Sequence, residues 1–151
     1  MIRDLVAFVR VRGLGVVATT GTDGEPEAAL VGLAASDDGE LIFDTSTTSR
    51  KYLNLLGRPR AAVVVGWDDE VTLQVEGSAD LPEGAERARC QEVYFEQYPD
   101  GRDRASSPEI GYVRIRPRWW RYSDFRPDSF CSEVTELSLG GGADRLGDQG
   151  G

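Results

Sequence analysis

The sequence predicts a mainly β protein, a small antiparallel β-barrel with flanking helices. Three observations support this fold class. Short apolar and β-branched runs recur along the chain, clusters of Gly, Asp and Pro separate most of them, and helical periods between them are few and short. No internal repeat is visible, and 151 residues fit one domain.

The chain opens with a predicted helix and a meander of three strands. A helical period joins Ile2, Leu5 and Val9, and Gly13 follows as a stop. Turn-forming residues then separate three strand-like runs, which are Leu14–Thr20, Ala28–Ala34 and Leu41–Thr45. The first two runs form a predicted hairpin, and the third is expected to extend the meander.

A second helix and two further strands follow. The hydroxyl cluster at 45–49 can cap a helix, and the pattern of Tyr52, Leu55 and Leu56 is helical. Gly57 ends this helix. A second hairpin is predicted from the strand-like runs Ala61–Trp67 and Val71–Val75.

The last part of the chain predicts a helix, two strands and a tail. The helix covers 84–98, and the polar stretch up to Pro108 is expected to be a loop. The sixth and seventh predicted strands are Tyr112–Ile115 and Trp119–Tyr122, separated by Pro117. We therefore expect one domain over residues 1–135 and a flexible Gly-rich tail over residues 136–151.

Composition excludes several classes of function. The net charge of −9 argues against nucleic-acid binding, which depends on clustered cations. The chain has no histidine, so the usual zinc ligands, His-based triads and His-ligated haem are excluded and no metal site is predicted. The two cysteines, Cys90 and Cys131, are isolated, which suits a reducing compartment. The first residues resemble neither a signal peptide nor a membrane span, so we expect a soluble cytoplasmic protein.

The most informative segment runs from Asp44 to Lys51. It places Arg50 and Lys51 in the first turn of a helix, where the partial positive charge of the helix disfavours cations. A bound anion would reverse this preference, because free amide donors, hydroxyls and two cations form a suitable phosphate site. Local chemistry alone leaves open an ordinary capped helix whose cations face water.

The Thr-x-x-x-Ser-Arg-Lys pattern of 45–51, together with the order of segments, resembles the pyridoxamine-phosphate-oxidase-like family of FMN-binding split barrels. The resemblance covers Ile2 to Arg126 and implies a six- to seven-stranded antiparallel split barrel. It implies that Arg50 and Lys51 bind the FMN phosphate. It also places Thr45 and Ser46 beside the ribityl chain and phosphate, and Ser49 belongs to the same motif.

The same resemblance implies contacts with the flavin ring. The backbone of the second strand would lie along the ring, at Ala29, Leu30, Val31 and Gly32, and Gly32 would allow a close approach. Thr72 or Gln74 would offer a polar side chain, although both are equally compatible with exposed strand positions. The last strand, with Trp120, would reach the flavin of a partner subunit, whereas core packing is the alternative role for its aromatic residues.

The family resemblance implies a homodimer that holds FMN at its interface and transfers hydride or electrons to an unidentified small substrate. The chain resembles the shorter general-stress or flavin-reductase-like members. Arg121 and Arg126 are present near the C-terminus, but the missing histidine argues against vitamin B6 oxidation. No catalytic residue is assigned. A deazaflavin-dependent reductase, a flavin-binding module without turnover and a ligand-free barrel remain alternatives.

Overall fold

A computed structural model describes residues 2–127 and the backbone of residues 133–138. The helices are α1 (Ile2–Arg12), α2 (Arg50–Gly57) and α3 (Gly84–Gln97), and a 3-10 helix covers Pro99–Arg104. The strands are β1 (Leu14–Thr20), β2 (Pro26–Gly32), β3 (Ala34–Ala35), β4 (Leu41–Ser46), β5 (Arg60–Val65), β6 (Val71–Asp80), β7 (Ile110–Asp124) and β8 (Glu133–Ser138). Within the described residues, no helix has the length and apolar character needed to cross a membrane.

The strands form one antiparallel sheet that curls into a half-barrel. Its strand order is β2-β1-β5-β6-β7-β4-β3, and β8 pairs with β7. The predicted fold class, a mainly β split barrel with flanking helices, is therefore confirmed. β8 extends to Ser138, beyond the predicted domain boundary at residue 135. The rest of the predicted tail lies outside the described residues.

The two last predicted strands are one strand. Tyr112–Ile115 and Trp119–Tyr122 both belong to β7, which continues through Pro117. The first half of β7 pairs with β4, the second half pairs with β8, and β6 lies along most of its other side. The prediction of a break at the proline was wrong.

Pro117 is tolerated because it lies in a gap between partner strands. Pairing with β4 ends at Ile115, and pairing with β8 begins at Trp119. A proline between these points removes no hydrogen bond to either strand. On the other side of β7 the register shifts between Glu76 and Gly77, which leaves one extra residue in β7. Such a β-bulge is a common place for proline.

The predicted three-strand meander is also corrected. β1 and β2 form the expected hairpin, but β4 pairs with β7 and β3 instead of continuing from β2. The run Ala28–Ala34 is interrupted at Leu33, whose amide donates to the Gly13 carbonyl oxygen at 2.8 Å. This change of direction separates β2 from β3. The polar stretch predicted as a loop contains the 3-10 helix.

Two apolar clusters stabilise the sheet on opposite faces. The inner face packs against α1, with Val63, Leu73 and Ile115 almost fully buried. The other cluster lies between α3 and the β4–β7 part of the sheet, and its members include Cys90, Tyr94 and Tyr112. The main contacts of α3 with the sheet are with β3, β4 and β7, so α3 packs away from β1 and β5.

A buried arginine ties α3 to the sheet. Arg114 is only 3% exposed, and it donates to both oxygens of Asp80 at 2.9 and 2.6 Å. It also forms an ion pair with Glu86 of α3. The hydrogen bonds from Arg114 are the main reason why the pKa values of Asp80 and Glu86 lie below their usual range.

We expect acid to destabilise the protein partly through this cluster. The two carboxyls have folded-state pKa values below unfolded values of about 4, so their stabilising effect is complete above about pH 5. It is lost as the pH falls through the lowered folded-state values. Glu86→Gln should therefore lower the Tm at neutral pH but reduce the fall in Tm below about pH 5, measured by circular dichroism.

Glu96→Gln is a matched control on the same helix. Glu96 is exposed and has no hydrogen-bond or ion-pair partner among the residues described. This variant should follow the wild-type dependence of Tm on pH. An identical acid dependence in wild type and Glu86→Gln would contradict the role given to the cluster.

Candidate functional site

The turn between β4 and α2 carries the predicted phosphate motif, and its hydroxyl groups bind one another. Ser49 is the N-cap of α2, and its Oγ accepts a hydrogen bond from the Tyr52 amide at 3.3 Å. Thr45 Oγ1 donates to the same oxygen at 3.0 Å. Ser46 Oγ accepts from the Thr48 amide at 3.2 Å. These bonds fix the conformation of the turn where the helix begins.

The two predicted cations differ in their partners. Arg50 Nε donates to Glu27 Oε1 at 2.8 Å, and this bond raises the pKa of the guanidinium. The Arg50 side chain nevertheless stays 78% exposed. Lys51 is half-buried and has no hydrogen-bond or ion-pair partner within residues 2–127. Since the first amides of a helix also lack intrahelical acceptors, one end of α2 concentrates positive charge and hydrogen-bond donors.

Three polar residues that the sequence analysis did not identify lie beneath Arg50. Glu27 Oε1 also accepts from Asn54 Nδ2 at 3.0 Å, and the same nitrogen donates to Thr19 Oγ1 at 3.0 Å. Asn54 and Thr19 are buried. The hydrogen bonds from Arg50 and then Asn54 lower the pKa of Glu27. Hairpin register places Glu27 opposite Thr19, but no sequence pattern indicates that α2 packs against this pair.

The β2 residues predicted to contact the cofactor lie on an edge strand. Among the described residues, no further strand pairs with the outer edge of β2. The backbone N–H and C=O groups on that edge therefore form no hydrogen bonds to a neighbouring strand. Ala29 and Val31 face the barrel interior, whereas Leu30 faces outward and is 59% exposed. The bond between Arg50 and Glu27 brings the start of α2 next to this strand. The structure therefore places the two parts of the predicted site together.

Gly32 lies against an aromatic side chain of the same chain. A Cβ at this position would lie 3.0 Å from the ring of Tyr98, so the space above Gly32 is taken by an aromatic side chain of the same chain. The Tyr98 hydroxyl donates to the Gly13 carbonyl oxygen and fixes the ring there. The flavin contact implied for Gly32 stays a prediction, and in this structure any ring at that position would also lie next to Tyr98.

Gln74 lies on the outer face of the sheet, in one row with Leu30. The cross-strand register of this row is Leu30, Val16, Val64, Gln74 and Arg121. Three strand spacings separate Leu30 from Gln74, a distance of about 14 Å. The two predicted contact residues therefore share a face but are too far apart to touch each other within one chain.

The other two predicted contacts fall on different sides of the sheet. Thr72 lies on the Gln74 side, and its Oγ1 is 3.5 Å from the Val65 carbonyl oxygen. Trp120 points into the core and is 3% exposed, because alternate residues of β7 face opposite sides. The outward neighbours are Trp119 and Arg121, with the guanidinium carbon 5.5 Å from the centroid of the Trp119 ring. This geometry does not favour a cofactor contact by Trp120.

The donor set at the start of α2 fits a phosphate group. It combines an exposed arginine, first-turn amides and a lysine for which residues 2–127 provide no hydrogen-bond or ion-pair partner, beside the edge that β2 forms among the described strands. Bidentate arginine and helix N-terminal amides are frequent phosphate ligands. The fold and these residues define a split-barrel protein with a candidate phosphate site at the start of α2.

Comparison with known proteins agrees with this description. A family model described as pyridoxamine 5′-phosphate oxidase matches residues 1–124, and the chain belongs to this family. One curated relative, the pyridoxine/pyridoxamine 5′-phosphate oxidase of Thermosynechococcus vestitus, is 37% identical over 86 residues. That match covers 56% of this chain and 39% of the relative, so the chain spans well under half of the oxidase that it resembles.

Solved structures with the same fold include proteins of different descriptions. A conserved hypothetical protein from Mycobacterium tuberculosis has a TM-score of 0.70 and 26% identity, and the match covers 92% of this chain and 91% of that one. A heme binding protein from Mycobacterium smegmatis has a TM-score of 0.77 at 16% identity, covering 91% of this chain and 57% of that one. At this low identity, the second likeness concerns the fold alone.

Proposed function

We propose that this chain is a cytoplasmic homodimer that binds FMN and transfers hydride or electrons between the flavin and a small-molecule substrate. The observation that carries the proposal is the position of Arg50 and Lys51, two cations in the first turn of α2 beside the free edge of β2. An edge strand supplies backbone donors and acceptors for a polar ring, and the cations supply the counter-charge for a phosphate.

The chain's own residues would bind and orient the cofactor. The side chains and backbone amides of Arg50 and Lys51 would hold the phosphate, since the Tyr52 amide already donates to Ser49. The hydroxyls of Thr45 and Ser46 would border the phosphate. The backbone of β2 would fix the ring at Ala29 to Val31. When bound, FMN supplies the redox chemistry, so no acid or base from the protein is required.

Titration of the purified protein with FMN tests the proposal. We expect quenching of flavin fluorescence with saturation at one FMN per chain. A protein that retains a deazaflavin spectrum after purification would support the deazaflavin alternative instead. Heme, which the M. smegmatis neighbour is described as binding, serves as a competing ligand in the same titration. Because the chain contains no histidine, a heme complex would need another axial ligand.

Reduction kinetics separate an oxidoreductase from a flavin-binding module. Mixing the FMN complex with NADH or NADPH without oxygen should bleach the flavin absorbance within seconds if the protein is an enzyme that uses a nicotinamide. A flavin that stays oxidised with both donors would favour a module without turnover.

The outer face of β2, β1 and β5 supports the proposed dimer. Leu30, Val16 and Val64 form an apolar row on this face, and Val64 is 39% exposed. A contiguous apolar surface on a sheet is typical of an interface.

Val64→Glu tests this interface. A charge at Val64, the β5 end of the apolar row, should convert the dimer to a monomer, because an unpaired carboxylate is costly to bury. Analytical ultracentrifugation measures the change. Val11→Glu, at an 82% exposed position of α1, is the control with the same substitution and should stay dimeric. A wild-type protein that sediments as a monomer while holding FMN would refute the interface.

A further inference from the structure

A chain of buried polar contacts runs from the barrel to the exposed guanidinium of Arg50. Thr19 is buried on β1 and accepts from Asn54, and Asn54 in turn donates to Glu27. Glu27 has only 20% of its side chain exposed. The buried side-chain amide of Asn54 therefore fixes the position of the Glu27 carboxylate independently of Arg50.

Arg50 is bound to this carboxylate through a single nitrogen. Its Nε donates to Glu27 Oε1 at 2.8 Å, and its two Nη groups have no partner among the residues described. An arginine held at Nε presents the outer part of its planar fork to an incoming ligand. Such a fork matches two oxygens of a phosphate.

We propose that Glu27 is a positioning residue for phosphate binding, because it orients the Arg50 guanidinium so that both Nη groups are available to the ligand. The inference rests on the proposed function, since it assigns Glu27 a role at the same site. Simple electrostatics predicts the opposite effect of Glu27, because a carboxylate next to a phosphate repels it. The two hypotheses therefore predict opposite changes in FMN affinity when the carboxylate is removed.

Three variants separate these possibilities. Glu27→Ala removes both the charge and the contact with Arg50, whereas Glu27→Gln keeps an oxygen that can accept from Arg50 and Asn54. Asn54→Leu removes the buried amide that fixes Glu27. If Glu27 positions Arg50, Glu27→Ala should weaken FMN binding about tenfold and Glu27→Gln should stay within about threefold of wild type. Asn54→Leu should weaken binding in the same direction as Glu27→Ala.

Binding is measured by quenching of FMN fluorescence, and thermal unfolding shows that each variant is folded. A second readout is nitrogen-15 NMR of the ligand-free protein, which detects the Arg50 Nε–H proton when it exchanges slowly with water. This proton should be protected from exchange in wild type and in Glu27→Gln. In Glu27→Ala it should exchange rapidly, and its resonance should be lost. Glu25→Ala, at an exposed position in the preceding turn, is the control for loss of one negative charge.

The outcomes distinguish this inference from the proposed function. FMN binding by Glu27→Ala that equals or exceeds wild type would overturn the positioning role and leave the flavin site intact. Unchanged exchange of the Arg50 Nε–H in Glu27→Ala would also overturn it. A wild-type protein that does not bind FMN would overturn the proposed function, and the role of Glu27 with it.

Discussion

Replacing Arg50 and Lys51 together with alanine is expected to weaken FMN binding about a hundredfold, since each charged hydrogen bond contributes about 1.5 kcal/mol at an exposed site. The double substitution removes both cations at the start of α2 but leaves the Ser49 cap and the amide donors unchanged. The helix should therefore persist, and the loss should appear as a larger dissociation constant in the fluorescence titration.

The matched control removes two positive charges elsewhere. Arg3 and Arg102 are both exposed and lie outside the β4–α2 turn. Arg3→Ala combined with Arg102→Ala has the same change in net charge, so it separates local binding from the overall electrostatic field. Equal FMN affinity in wild type and the Arg50 and Lys51 double variant would show that the phosphate is held elsewhere.

Gly111→Ala is expected to destabilise the protein by about 1 to 3 kcal/mol and to weaken FMN binding, because it forces α2 away from the sheet. A Cβ at Gly111 would overlap the ring of Tyr52, a residue in the first turn of α2 that packs against this glycine. The Tyr52 amide also completes the Ser49 cap, so displacement of Tyr52 disturbs the turn that presents the cations.

Two further variants test this coupling. Gly57→Ala is the control, because a Cβ at Gly57 meets no atom within 4 Å and should leave both stability and affinity nearly unchanged. Combining Gly111→Ala with Tyr52→Leu should recover part of the FMN affinity, since the smaller side chain leaves space for the added methyl group. Unfolding in urea gives the stability and fluorescence gives the affinity. Normal FMN binding by Gly111→Ala would argue against coupling between β7 and the site.

Local patterns in the sequence predict much of this fold. The Ser49 cap, the cations that follow it and the hairpin of β1 and β2 depend on neighbouring residues, and each is present in the structure. Pro117 misled the prediction because the effect of a proline on a strand depends on which partner strands lie beside it. Those partners, β4 and β8, are set by long-range pairing that no local pattern reveals.

The candidate site was predictable only in part for the same reason. The motif at 45–51 can be recognised from the sequence, because it places two cations at a helix N-terminus, where positive charge is unfavourable. Glu27, Asn54 and Thr19 come from three different elements, and each is an unremarkable polar residue in its own segment. The contact between Gly32 and the Tyr98 ring was not predicted, because Tyr98 comes from a distant part of the chain.

The place of β7 in the sheet also affects when the candidate phosphate site at the start of α2 is assembled during synthesis. β4, which leads into α2, pairs only with the short β3 and with β7 among the described strands. A ribosome therefore releases β1, β2, β5 and β6, which can pair with one another, long before β4 gains its main partner. If the proposed function is correct, we expect the nascent chain to capture FMN only after the residues up to Ile115 have emerged.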